Sequence, residues 1–164
     1  MGARAATLGV RRRWLLESSD LLRLAPFLVG RARRGVVGSS RYARALREAV
    51  RLAAADSERR PVLLSGEPGL EKDNLAALIH FGSPDRQQLM LRLDGALLKP
   101  DGAELFGSAG GPAGGGTGTD GLLALLGSGA LLIDKLDQAP PELRALLLHL
   151  AQTGQWRPVG DSGP

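Results

Sequence analysis

Residues 61–75 read Pro-Val-Leu-Leu-Ser-Gly-Glu-Pro-Gly-Leu-Glu-Lys-Asp-Asn-Leu, and no other stretch narrows the available folds as much. The apolar run Val62, Leu63 and Leu64 reads as a strand, Gly66 and Gly69 bracket a turn, and Lys72 stands where the pattern turns helical. A strand that feeds a tight turn and then a helix points backbone N–H groups and the helix dipole at one spot, which is how a loop cradles phosphate. The usual spacing is a glycine, four residues, then Gly-Lys-Ser/Thr. Gly66, Gly69 and Lys72 keep that register, while Glu71 occupies the second required glycine.

The rest of the chain fits an α/β fold. At 164 residues, 43% of them hydrophobic, it forms one domain or less with a real core. Packing falls to Leu, Ala and Val, since aromatics make up 4%. The absence of cysteine excludes disulfides and thiolate metal sites, and His80 and His149 are too few to build a metal site. Residues 1–60 hold 14 arginines against five acids, and the remainder holds seven basic residues against 12 acids. The arginine-rich third reads as solvated faces, with an acidic partner or nonspecific nucleic-acid contact as the alternative, because no stacking aromatics accompany it. No apolar run reaches the length of a membrane span, and the N-terminus lacks a signal-peptide core. The expectation is a cytoplasmic protein without membrane contact.

Along the chain, residues 14–29 suggest two short helical pieces broken near Pro26, with Trp14 as a packing residue, followed by an arginine-rich linker at 30–35. Ser39 or Ser40 caps an amphipathic helix reaching about Ala55. A second helix follows the loop to Phe81, with His80 in a packing role near its end, and residues 89–93 read as a strand. Ten of the 23 residues in 107–129 are glycine, which predicts a mobile loop over 108–119 that forms no packed element, then one or two helical turns at 122–126. Ala130, Leu131, Leu132, Ile133 and Asp134 have the profile of a strand buried on both faces of a parallel sheet, with its carboxylate at the strand exit. Pro140 and Pro141 open a last helix ending at Gly154, with Leu143, Leu146, Leu147 and Leu150 inward and His149 on the surface. Strands alternating with helices imply βαβ crossovers, hence a mainly parallel sheet with flanking helices.

Several of these motifs together resemble one family. Val36-Val37-Gly38, the loop GEPGLEKD at 66–73, Ile79-His80, ELFG at 104–107, GALLIDK at 129–135 and Val159-Gly160 are similar in order to the central AAA+ domain of NtrC-like enhancer-binding proteins, the activators of sigma-54 RNA polymerase. That family shows GESGTGKE and GTLFLDE at the corresponding places. The resemblance implies a P-loop NTPase core over 35–164, preceded by a short helical, arginine-rich extension at 1–34. It implies ATP and magnesium as cofactors: Val36, Val37 and Gly38 near the adenine, Gly66, Glu67, Pro68, Gly69, Leu70, Glu71, Lys72 and Asp73 around the phosphates, and Asp134 at the metal.

Four departures reshape that expectation. The acid that follows the magnesium aspartate in the family is Lys135 here, and an ammonium ion cannot accept the attacking water's proton, so hydrolysis by the family mechanism should be absent. A Glu71 carboxylate about 4 Å from a phosphate charge costs on the order of 4 kcal/mol at an effective dielectric near 20, more than the roughly 1.5–3 kcal/mol of one charged hydrogen bond from Lys72. ATP binding is weakened unless Glu71 turns outward to another cation. Where the family places GAFTGA for its sigma contact, residues 110–119 carry no aromatic. Finally, the motifs run only to Val159-Gly160, so the expected core lacks the helical lid, second sensor and arginine fingers.

The expected function is thus a degenerate domain of this type that regulates transcription or signalling through protein contacts. A structural remnant or half of a split protein is the alternative, an active ATPase a third. Specific DNA recognition has no evident element, and the oligomeric state is left open.

Overall fold

The computed structural model describes residues 17–110 and 118–161. Trp14 and the centre of the glycine-rich loop lie outside these residues. Helix α1 (Ser18–Leu24) passes into a 3-10 turn, Ala25–Phe27, at Pro26, so the segment does break into two short pieces. Leu24 is fully buried in the main apolar cluster, and the chain then bridges to the first strand, with Val29 N donating to Met90 O at 2.9 Å.

Helix α2 (Arg41–Ala54) is capped by Ser40, whose hydroxyl accepts from Ala43 N at 3.1 Å, as its sequence signal predicts. It packs on α3 (Lys72–Gly82), which follows the loop. His80 is buried near the end of α3, its Nε2 3.0 Å from Gln88 O, in keeping with a packing role.

Strand β1 (Met90–Asp94) pairs in parallel with β4 (Ala130–Asp134), in a register that sets Arg92 opposite Leu132 and Asp94 opposite Asp134. Between them come α4 (Ala103–Phe106), β2 (Gly107–Ser108), β3 (Thr119–Asp120) and α5 (Leu122–Leu126). Helix α6 (Pro141–Thr153) closes the chain on a left-handed Gly154 cap. Leu24, Leu91, Leu93, Leu105 and Leu143 form the dry centre of the core.

The expectation of a mainly parallel sheet with an AAA+-like, sheet-dominated core is corrected by this architecture. Helices make up 46% of the described residues and strands 12%, in two sheets of two strands each. Among the strands of the described residues only β1 and β4 pair in parallel, with one isolated parallel bridge between Ser108 and Val159. The anticipated strand at 62–64 is absent: residues 61–67 are irregular, Val62 and Leu63 are 51% and 81% exposed, and none of the backbone hydrogen bonds among the described residues involves 61–65. The physical reason is that a helix satisfies its own backbone, whereas a strand forms only beside a neighbour.

Three smaller expectations also shift. Every residue of β4 is half-buried rather than buried on both faces. Leu146 is 43% exposed, so the inward face of α6 narrows to Leu143, Leu147 and the partly buried Leu150. The ends of the glycine-rich stretch are pinned: Ser108 pairs with Thr119 and Gly107 with Asp120, and a Cβ on Gly107 or Gly121 would collide with the facing backbone. No helix of the described residues is long and apolar enough to cross a membrane.

Candidate functional site

The loop leads into α3 through Glu71, which sits in the left-handed region (φ 49°, ψ 43°), the conformation that favours glycine. Lys72 folds back over the turn, its Nζ donating to Gly66 O and Glu67 O at 2.9 Å each. Pro68, Gly69 and Leu70 form the exposed tip. Beside them opens a cleft of about 320 Å³ lined by Val36, Val37, Leu46, Leu70, Glu71 and Leu75 among others. Val36 and Val37 therefore line the same cleft as Leu70 and Glu71 of the loop, and Gly38 accepts from Arg47 Nη1 through its carbonyl at 2.7 Å. This contact takes Arg47 out of the wholly solvated face that the sequence suggests for α2.

Glu71 does not face the loop interior alone. Arg34 holds it, with Nε donating to Oε2 at 2.9 Å and Nη2 2.8 Å from Oε1.

Asp73, in the first turn of α3, accepts two hydrogen bonds from Arg33, Nη1 to Oδ2 at 2.9 Å and Nη2 to Oδ1 at 3.0 Å. Those bonds are the main reason its carboxyl titrates below the usual range, with Arg92 adding charge attraction. Next to it, buried Asn74 gathers the 33–34 backbone: Arg33 N and Arg34 N donate to its Oδ1 at 2.8 and 3.4 Å, and its Nδ2 donates to Arg34 O at 2.8 Å.

Asp134 ends β4 as the strand profile requires, but its carboxylate is engaged. Arg92 Nη2 donates to Oδ2 at 2.6 Å and Lys135 N to Oδ1 at 3.0 Å. Lys135 itself turns to Asp94, Nζ to Oδ2 at 2.5 Å. That hydrogen bond raises the lysine's pKa and lowers the aspartate's. The residues around Asp134 do not fit magnesium: a divalent ion about 4 Å from a guanidinium meets repulsion on the order of 8 kcal/mol at an effective dielectric near 20. Among the described residues no group of three or more His, Asp or Glu is placed to hold a metal.

Arg33, Arg34, Asn74, Arg92 and Asp94 thus belong to the site although sequence reasoning passed over them. Arg33 and Arg34 read as linker, yet a signal for the other pair was present. Arg92 and Asp94 alternate along an otherwise apolar strand, and alternation puts both on one face.

The Sigma-54 interaction domain family matches residues 36–164. The chain belongs to this family. It is 33% identical over 128 residues to a Nif-specific regulatory protein of Rhizobium leguminosarum bv. trifolii, covering 76% of this chain and 36% of that protein. It is 34% identical over 130 residues to the Nif-specific regulatory protein of Rhodobacter capsulatus, covering 77% of this chain and 22% of that protein. The chain therefore spans about a fifth to a third of the length of such relatives. Among solved structures, NtrX from Brucella abortus in complex with ADP shares the fold at a TM-score of 0.63 and 24% identity, over 92% of this chain and 31% of that one. It is a sigma-54 interaction domain related to NtrC-family regulators.

Proposed function

We propose that this sigma-54 interaction domain regulates transcription or signalling through protein contacts, holds ATP weakly and does not hydrolyse it. The observation that carries the reading is Lys135. It follows Asp134 directly and is ion-paired to Asp94, so the position next to the strand-end aspartate offers a bound ammonium where a proton acceptor is needed. In this reading residues 35–164 are the family domain and 1–34 an arginine-rich extension of it.

The nucleotide part rests on the cleft and the loop beside it. Val36, Val37 and Leu70 offer apolar walls for a base, and Lys72, once released from the Gly66 and Glu67 carbonyls, offers a charge for phosphate. The related NtrX was solved with ADP. ATP bound there would serve as a ligand whose presence alters the loop, and no step is routed through magnesium. The 110–119 segment carries no aromatic, so contact with sigma-54 through that loop is not part of the proposal.

Titration with a fluorescent ATP analogue, paired with a phosphate-release assay, tests the reading. Saturable binding without phosphate release is expected. Absence of saturation at millimolar nucleotide would remove the nucleotide part, and steady turnover by the unaltered chain would remove the claim that ATP is not hydrolysed. Phosphate release in Glu71→Gly/Lys135→Glu would identify these two positions as the block.

A second reading, a structural remnant or half of a split protein with no activity alone, is favoured by the 61–65 segment, which is exposed apart from half-buried Leu64 and has no backbone partner among the described residues. It predicts neither nucleotide binding nor independent partner contact.

A further inference from the structure

Arg92 is the centre of a charge chain that joins three elements. Its Nη1 lies 3.1 Å from Asp73 Oδ2 on α3 and its Nη2 2.6 Å from Asp134 Oδ2 on β4, while its backbone belongs to β1. The second oxygen of each carboxylate is also taken, Asp73 Oδ1 by Arg33 and Asp134 Oδ1 by Lys135 N. All four oxygens of this pair therefore have donors within the chain.

A divalent cation in such a place would do one structural job. It would draw the carboxylate at a strand end and the first turn of a neighbouring helix toward a common positive charge, through short bonds to oxygen. A planar guanidinium fork matches carboxylates geometrically and keeps its charge at every physiological pH. We infer that Arg92 is a built-in substitute for a divalent cation: with Arg33 beside it, it bridges Asp73 and Asp134, so the domain takes up no magnesium or manganese at this site, and a metal site opens only when both guanidinium groups are removed. The inference rests on the proposed ATP binding without hydrolysis, in which no step runs through magnesium, and it sharpens that reading. Nucleotide bound to this chain would gain nothing from magnesium.

Three features make the assignment specific to the side chain. Arg92 interrupts a strand whose neighbours Leu91 and Leu93 are buried, so its outward face alone carries the charge. The parallel register puts Asp134 opposite Asp94, one pleat beyond Arg92 on the same face, within reach of a long side chain. Asp73 is held by Arg33 through both oxygens, so loss of Arg92 alone frees only Asp134 Oδ2 and leaves a guanidinium beside the site.

The test uses Mn²⁺ alone, without nucleotide, and follows the free-ion signal by electron paramagnetic resonance on the whole chain. The unaltered protein is expected to show no saturable uptake at about millimolar Mn²⁺, a range that weak oxygen-ligand sites reach. Arg33→Ala/Arg92→Ala and the bulkier Arg33→Gln/Arg92→Gln are expected to bind at least tenfold more tightly, Arg92→Ala alone is expected to gain no saturable site, and Asp134→Asn added to either double variant is expected to abolish the gain. Saturable uptake by the unaltered chain that disappears in Asp134→Asn overturns the inference, as does the lack of any gain in a folded double variant. Should neither variant fold, the thermal midpoint of the unaltered chain decides. It is expected to be the same in EDTA and in magnesium, and a midpoint raised by magnesium but not in Asp134→Asn overturns the inference. Because nucleotide is absent, failure of ATP binding leaves this result standing.

Discussion

Two apolar runs, Val62-Leu63-Leu64 and Ala130-Leu131-Leu132-Ile133, look alike in sequence and end differently in space. The second lies in register beside β1 and has α3 packed against it. The first is exposed and has no backbone partner among the described residues. What separates them is the availability of an adjacent edge, since both are rich in strand-forming residues. Order in this domain therefore concentrates where β1, β4 and the start of α3 meet, and falls away toward the loop that the sequence marks as its centre.

Paired substitutions sharpen that contrast, and the widest gap is expected in the core. Leu91→Ala, at a side chain with 0% exposure, should cost about 2–5 kcal/mol in denaturant unfolding. Leu63→Ala, at 81% exposure, should stay within about 0.5 kcal/mol. Comparable losses for both would show that 62–64 is packed as tightly as β1.

Two glycines give the next largest difference. A Cβ on Gly95 would meet Lys135 O at 2.5 Å, whereas one on Gly69 meets nothing within 4 Å and suffers only from φ +86°. Gly95→Ala should cost about 2 kcal/mol or more by steric displacement, and Gly69→Ala about 1 kcal/mol from its backbone. Thermal unfolding reads both, and the reverse order would break the contrast.

Glu71→Gly relieves a left-handed non-glycine residue but gives up an exposed ion pair to Arg34 and adds unfolded-chain freedom. The balance should favour stability by no more than about 1 kcal/mol. A clear loss would mean that the Arg34 pair matters more than the backbone does.

The smallest expected effect lies in acid. Asp73 and Asp94 titrate below their ordinary values in the fold, held chiefly by hydrogen bonds from Arg33 and Lys135 respectively. Their contribution is therefore present above the unfolded carboxylate pKa of about 3.9 and is lost as pH falls through the lower folded values. The unaltered chain should lose thermal stability below about pH 4 more steeply than Asp73→Asn/Asp94→Asn. Parallel pH profiles would show that these pairs contribute nothing. Asp56 is the counterpart near the loop, brought to about 2 mainly by its hydrogen bond with Arg60. Asp56→Asn should remove a separate step between about pH 4 and 2.

These contrasts also show what was legible in the sequence. The elements that close their hydrogen bonds locally were readable: the Ser40 cap, the Pro141 start and the Gly154 stop are chemistry within one turn. Strand β4 was readable because it happens to have a partner. The 62–64 run was not, since its fate depends on a neighbour that no local pattern encodes. At the site, Lys72 and Glu71 followed from motif spacing, Asp134 from its place at a strand exit and Lys135 from the family resemblance, but their partners did not. Arg33 and Asp73 are 40 positions apart, and Arg92 and Asp134 are 42 apart, and pairing over such separations leaves no local trace. The alternation of Arg92 and Asp94 was the one usable hint.

Asn74 has a consequence of another kind. Its side-chain amide offers the 33–34 backbone an acceptor and a donor, as a strand edge would, although it projects from a helix. The Arg33 amide hydrogen should therefore be shielded from solvent exchange only while α3 is seated. In native-state exchange it would appear as an isolated slow site inside a fast-exchanging segment, a clock for the undocking of that helix.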